Sequence, residues 1–190
     1  MNVLIIGSGG REYAICKKLH QSKCNLFYYG THNNPGMDEK ALLLAVGNLR
    51  DINKISQLAL ENKIDLVIVG PEIPLSLGLV DELLQNNIKA IGPTQKMALI
   101  ESSKKFARQL MFSNDMGKYC PNLLHIISPE YDYDKIKHVI ETIMDQSKIV
   151  IKPDGICGGK GVMAQDVHFE TKEEAIKYCS DLMAMQQHVL

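Results

Sequence analysis

The chain has 190 residues, enough for one large domain or for one domain with a smaller companion. Its composition, 45% hydrophobic, 23% charged and 6% aromatic, is that of a globular protein able to bury a core without disulfide staples. The 21 basic and 22 acidic residues leave a net charge of -1 with no Lys/Arg block, which excludes electrostatic binding of nucleic acid or an anionic membrane but not capture of a small anion by a loop or helix end.

Residues 3–6 form a short apolar run closed by Gly7-Ser8-Gly9-Gly10, which predicts a buried parallel strand ending in a glycine turn. Residues 11–21, with Ala14, Ile15 and Leu19 apolar, predict a helix. A second strand is expected over residues 26–29, before the turn chemistry of Thr31-His32-Asn33-Asn34-Pro35-Gly36. Asp51 can cap a helix running to about Asn62, with Ile55, Leu58 and Ala59 on one face. Residues 66–69 are the clearest strand, ended by Gly70-Pro71-Glu72; a helix over residues 75–85 and a short strand at Ala90-Ile91 follow. Alternating strands and helices at this spacing give a parallel sheet, whose ligands sit beyond the carboxyl ends of the strands, at the loops of Gly7, Gly70 and Gly92.

One long helix is expected over residues 95–112, and the Ser113-Asn114-Asp115-Met116-Gly117 stretch before Pro121 breaks the pattern. After it come a strand over residues 123–127, a helix over 133–144, a strand over 149–152, a glycine loop, a strand near 162–164 and a helix from about Lys172, close to the final His188-Val189-Leu190. No repeat or low-complexity segment is present. The five cysteines (Cys16, Cys24, Cys120, Cys157 and Cys179) make no C-x-x-C pair and match no zinc module, and the six histidines lie far apart. Reduced thiols in the cytoplasm are therefore expected. The first seven residues lack the basic and long apolar regions of a signal peptide, and runs such as residues 41–46 are far too short to span a bilayer.

Gly7-Ser8-Gly9-Gly10-Arg11-Glu12 departs from a dinucleotide fingerprint: Glu12 stands where the third glycine belongs, and no acid follows the second strand at Tyr28-Tyr29-Gly30. A bare turn and a phosphate site at the helix N-terminus, with Arg11 adding a charge-assisted bond, are both consistent with this loop taken alone. The second loop, Lys152-Pro153-Asp154-Gly155-Ile156-Cys157-Gly158-Gly159-Lys160-Gly161-Val162, is not a Walker A loop, because only three residues separate Gly155 from Gly159 and Gly161 replaces the Ser or Thr. Four glycines in seven residues around Lys160 can fold over a polyphosphate, with Lys152 directed into the same space. Spacing alone leaves Lys104 and Lys105 as a solvated helix face and Glu72 as either a surface acid or a hydroxyl-binding group. Cys157 has no nearby His to activate it.

Four blocks in order carry a resemblance: Ile5 to Glu12 as quoted above, Ile68-Val69-Gly70-Pro71-Glu72-Ile73-Pro74-Leu75, Gly92-Pro93-Thr94 with Leu99-Ile100-Glu101-Ser102-Ser103-Lys104-Lys105-Phe106-Ala107, and the Lys152 to Val162 loop. Together they resemble the phosphoribosylamine–glycine ligase family of the ATP-grasp superfamily, over essentially the whole chain. The resemblance implies an α/β fold: a parallel-sheet N-terminal (pre-ATP-grasp) domain over residues 1–101, then a small α+β ATP-grasp lid subdomain over residues 102–190, with the rest of the ATP-grasp fold absent. It implies that ATP phosphorylates the carboxylate of glycine and that the amine of 5-phosphoribosylamine attacks the acyl phosphate. Gly9, Gly10, Arg11, Glu12, Pro71 and Glu72 would hold the phosphoribosylamine; Lys104, Lys152, Gly158, Gly159, Lys160, Gly161 and Val162 would hold ATP. Magnesium ligands are expected in a part the chain lacks, and a metal site within it is not expected. Tyr13 replaces the family's usual His, Pro153 an Ala, and Ile156, Cys157 and Gly158 a Leu and two Ala; Asn34-Pro35-Gly36-Met37 is a loose version of the next substrate loop.

Family members are much longer, so the chain is expected to be an N-terminal half that folds but does not turn over by itself. Two alternatives stand beside this reading: another ATP-grasp carboxylate–amine ligase, and a non-catalytic module binding a nucleotide or phosphosugar. The Gly-Gly-Arg-Glu and Gly-Pro-Glu-x-Pro-Leu blocks favour the glycine ligase over the first.

Overall fold

The computed structural model describes residues 1–123, 125–185 and 189. The chain divides into two units, Met1–Leu99 and Ile100–Leu190. In the first, β1 (Asn2–Ile6), β2 (Asn25–Gly30), β3 (Leu42–Val46), β4 (Leu66–Val69) and β5 (Lys89–Ile91) form one parallel sheet in the order β3-β2-β1-β4-β5. Strand β1 is central, and Val3, Leu4, Ile5 and Ile6 are all fully buried. Successive residues of a strand face opposite sides. Leu4 and Ile6 accordingly join one core, and Val3 and Ile5 the other. The first core packs against α3 (Ile52–Glu61) and α5 (Leu79–Gln85) through Ile55, Ala59, Leu79, Val80 and Leu83. The second takes Cys16 from α1 (Gly10–Leu19), Met37 from α2 (Pro35–Asp38), and Tyr28 from β2. Each such large apolar side chain contributes about 1.5–3 kcal/mol on burial.

One strand that was not expected is added in this unit, and two expected helices are corrected in it and at its end. Residues 42–46, which carry no alternation, are an edge strand: pairing with β2 shifts register between Tyr28 and Tyr29, and Leu42 and Val46 stay exposed. The helix expected over residues 75–85 is two, α4 (Glu72–Ser76) and α5, separated at Gly78, whose φ of 88° is left-handed. The long helix over residues 95–112 is also two, α6 (Gln95–Ser102) and α7 (Lys104–Ser113); Ser103 is extended and its side chain accepts from the Phe106 amide at 3.1 Å. Asp51 does cap α3, accepting from the Lys54 amide at 3.1 Å.

In the second unit, α8 (Tyr133–Met144) and α9 (Lys172–Ala184) pack with the hairpin of β6 (Val150–Ile151) and β7 (Met163–Ala164), which pair antiparallel. Ile136, Ile140, Ile151, Phe169, Ile176, Cys179 and Leu182 form its core. Asp132 caps α8, and a Thr171–Glu174 capping box opens α9. Of the strand expected over residues 123–127, Ile127 makes a single antiparallel bridge with Val189; Leu124, His188 and Leu190 lie outside the described residues. Among the described residues no helix is long and apolar enough to cross a membrane.

Candidate functional site

The sheet order reverses between β1 and β4, because β2 and β3 lie to one side of β1 and β4 and β5 to the other. A crevice opens at such a switch point beyond the carboxyl ends of the two strands. The loop after β1 and the loop after β4 meet there, and the glutamate at the third position of α1 fills the space between them. Glu12 is 4% exposed. Its Oε2 accepts from the Gly9 amide at 2.8 Å. A Cβ on Gly7 would lie 2.7 Å from Glu12 Cγ and 3.0 Å from Pro71 Cγ, and one on Gly70 would lie 2.2 Å from Glu12 Oε1. Both glycines are thus needed to let the carboxylate in. Arg11 Nε lies 3.3 Å from Glu12 Oε1 but off a hydrogen-bonding line, so this buried oxygen has no hydrogen-bond partner among the described residues. The Arg11 guanidinium is exposed and reaches Glu72 Oε2 at 3.8 Å.

Gly9, Gly10, Arg11, Glu12, Pro71 and Glu72, drawn from two loops some sixty residues apart in sequence, therefore lie side by side. Gly10 is open, with no atom within 4 Å of a built Cβ. The Gly9 amide is already donated to Glu12, while Gly10 and the Arg11 side chain are exposed. The loop after β2 borders the same turn, a neighbourhood that spacing did not reveal. Asn34 Nδ2 donates to the Ser8 carbonyl at 2.9 Å, and Ser8 Oγ lies 3.3 Å from His32 Nδ1. Asn34 also caps α2, accepting from the Gly36 amide at 3.0 Å. Tyr28 donates to Asp38 below this loop; burial first, and then that bond, push its hydroxyl pKa up. Tyr13, the residue in place of the family's His, fills the room that a side chain on Gly36 would need, 2.6 Å from the built Cβ. The signal for this loop was the Asn-Pro-Gly turn at the end of a parallel strand.

In the second unit Lys104, one of the lysines expected at ATP, is placed by hydrogen bonds to the glycine hairpin. Lys104 is half-buried rather than solvated: its Nζ donates to the Pro153 carbonyl at 2.9 Å and the Gly155 carbonyl at 2.8 Å. Asp154, between them, accepts from Ser103 Oγ at 2.8 Å and the Lys105 amide at 3.2 Å. Gly155, Gly158, Gly159 and Gly161 all have positive φ, and the first three face open space. The loop is pinned at Gly161, whose carbonyl accepts from Tyr178 at 2.7 Å, and turned by a Lys160 amide to Cys157 carbonyl bond of 3.0 Å.

Lys104, Lys152 and Val162 line one cavity of about 580 Å³, together with Arg108, Lys148 and an apolar floor that includes Ile140, Ile143 and Val150. Gly158, Gly159, Lys160 and Gly161 do not line it; they project from the hairpin as an exposed arm. An apolar floor rimmed by cations, beside an arm of exposed glycines, offers a surface for an apolar group and positive charge for an anion. Magnesium is not placed by the same test: among the described residues no three His, Cys, Asp or Glu side chains converge on one point.

Comparison with known proteins identifies relatives over the whole chain. A model of the family described as phosphoribosylglycinamide synthetase, N domain, matches residues 1–101. A phosphoribosylamine–glycine ligase of Methanobrevibacter smithii is 35% identical over 185 residues, covering 96% of this chain and 40% of its own length. The crystal structure of that ligase from Thermotoga maritima superposes with a TM-score of 0.67 at 21% identity, over 100% of this chain and 42% of the other. N5-carboxyaminoimidazole synthetase from Staphylococcus aureus, solved with ADP, superposes with a TM-score of 0.68 at 15% identity, over 99% and 46%, and shares the fold. The chain thus spans about 40% of the length of the ligases it matches. By the match over its first 101 residues, the chain belongs to the phosphoribosylglycinamide synthetase family.

Proposed function

We propose that this chain carries the phosphosugar site and one wall of the ATP site of a cytoplasmic ligase in de novo purine biosynthesis, which joins glycine to 5-phosphoribosylamine and yields glycinamide ribonucleotide, ADP and phosphate. The observation that carries the reading is the Glu12 carboxylate seated between Gly7 and Gly70 at the switch point, with Arg11 and Glu72 at its mouth. The exposed Arg11 guanidinium and the Gly10 amide at the start of α1 suit the 5-phosphate, because a helix N-terminus and a cation both favour an anion. Glu72 and Pro71, across the crevice, are left for the ribose. A boundary between the sugar domain and the ATP-grasp portion near residue 101 is supported by each unit having its own core. ATP supplies the phosphoryl group that activates the glycine carboxylate. The part of this chain is to hold its phosphates with Lys104, Lys152 and the arm of Gly158, Gly159, Lys160, Gly161 and Val162, where cations offset charge during transfer. Five unpaired cysteines suit a reducing cytoplasm.

The test is calorimetry with glycinamide ribonucleotide, the stable product. A charge-assisted hydrogen bond is worth about 1.5–3 kcal/mol, so Arg11→Ala should weaken binding by about tenfold or more. Unchanged affinity would remove Arg11 from the site.

A further inference from the structure

Asp154 sits in the hairpin between β6 and β7, yet both of its oxygens are spent on α7: Oδ2 accepts from the Ser103 hydroxyl at 2.8 Å and Oδ1 from the Lys105 amide at 3.2 Å. Ser103 in turn accepts from the Phe106 amide at 3.1 Å. Two orphan amides of the first turn of α7 are thus satisfied, one by its own cap and one by a carboxylate some fifty residues away in sequence. Between these two caps lies Lys104. Its ammonium is held at 2.9 and 2.8 Å by the carbonyls of Pro153 and Gly155, the residues on either side of Asp154. Asp154 is therefore the link that fixes where α7 begins relative to where the glycine arm begins. A lysine side chain has rotamer entropy to lose on being held. A carboxylate that fixes its backbone and its two acceptors together removes much of that cost before a phosphate arrives.

We propose that Asp154 is a positioning residue for Lys104: it welds the base of the glycine arm to the first turn of α7, so that the nucleotide phosphates meet a preset ammonium. The proposal rests on the reading of Lys104 and the arm as an ATP wall. Asp154 touches no nucleotide in this arrangement and acts only through the lysine.

A double-mutant cycle on the 190-residue chain, read by binding of a fluorescent ATP analogue, separates this role from a general one. Lys104→Ala should weaken binding about tenfold, and Asp154→Ala about three- to tenfold. The double variant should be no weaker than Lys104→Ala alone, because the effect of Asp154 passes through the lysine. Asp154→Asn keeps an acceptor for the Lys105 amide and a polar partner for Ser103, so it should bind within about threefold of the unaltered chain. Circular dichroism identifies a variant that has not folded; Ser103→Ala, which removes one of the two partners of Asp154, then takes the place of Asp154→Ala in the cycle. Additive losses would overturn the proposal, since Asp154 would then act on the nucleotide or the fold independently of Lys104. Loss of the Asp154 effect with binding fully sensitive to Lys104 would also overturn it while sparing the ATP reading. Insensitivity to Lys104→Ala would overturn both.

Discussion

Gly70 is explained by a neighbour far away in sequence. Gly7 already needs glycine for its own φ of 111°, but Gly70 does not use a positive φ. The Glu12 carboxylate occupies the space that a side chain on Gly70 would take, at 2.2 Å from the built Cβ. The carboxylate cannot swing clear cheaply, because it is buried and tied to the Gly9 amide at 2.8 Å. Overfilling a packed site costs about 1–3 kcal/mol. Gly70→Ala should therefore destabilise the first unit by about that amount, read as a lower urea midpoint, and combining it with Glu12→Ala, which removes the obstructing group, should restore part of the loss. A Gly70→Ala chain as stable as the parent would show that Glu12 is not held where it is described.

At the scale of elements, the two helices opening on loops behave differently. The N-terminus of α1 faces the switch point, with Gly10 open and Arg11 exposed. The N-terminus of α7 is closed by Ser103 and Asp154. The hairpin arm between β6 and β7 is fixed at both ends, by Lys104 on Pro153 and Gly155 and by Tyr178 on Gly161, with Gly158 and Gly159 in open space between. Exposed backbone with few packed contacts opens locally at low cost. Trypsin should cut after Lys160 readily in the nucleotide-free chain and more slowly when ATP is present, as the arm folds on the phosphates. Equal cutting rates at saturating ATP would count against a role for the arm in nucleotide binding.

At the scale of the molecule, each unit carries its own core and its own buried thiol. Cys16 lies on α1 in the first and Cys179 on α9 in the second, both fully buried. Burial raises both thiols, Cys16 against a smaller opposing effect of Lys40, and pushes Cys179 up to about 12 from its ordinary 9.0. The sign follows from linkage: a folded pKa above the unfolded one gives a contribution fully present below pH 9.0 and lost as pH rises towards 12. Both units should lose stability in alkali on this account, the second more steeply. Pulse labelling with a thiol reagent in urea should expose Cys16 and Cys179 at different midpoints, since neither core draws on the other unit. A single midpoint shared by both thiols would show that residues 1–190 unfold as one cooperative body.

Much of this was legible in the sequence because it depends on short-range chemistry. The strand at residues 66–69, the helix at 133–144 and the Asp51 cap follow from apolar period and capping residues that act within one turn. The motif order was enough to indicate the family. Tertiary structure decided what depends on partners distant in the chain. Residues 42–46 became a strand because β2 offered an edge, which no alternation in their own sequence announces. Ser103 broke a continuous helical pattern because its hydroxyl could cap α7 and reach Asp154. Lys104, on spacing a solvated residue, was drawn to two carbonyls of the hairpin. The strand order that brings Gly7, Glu12, Gly70 and Glu72 to one crevice was likewise fixed only by sheet pairing, since periodicity tells a strand which face to bury but not which strand to lie beside.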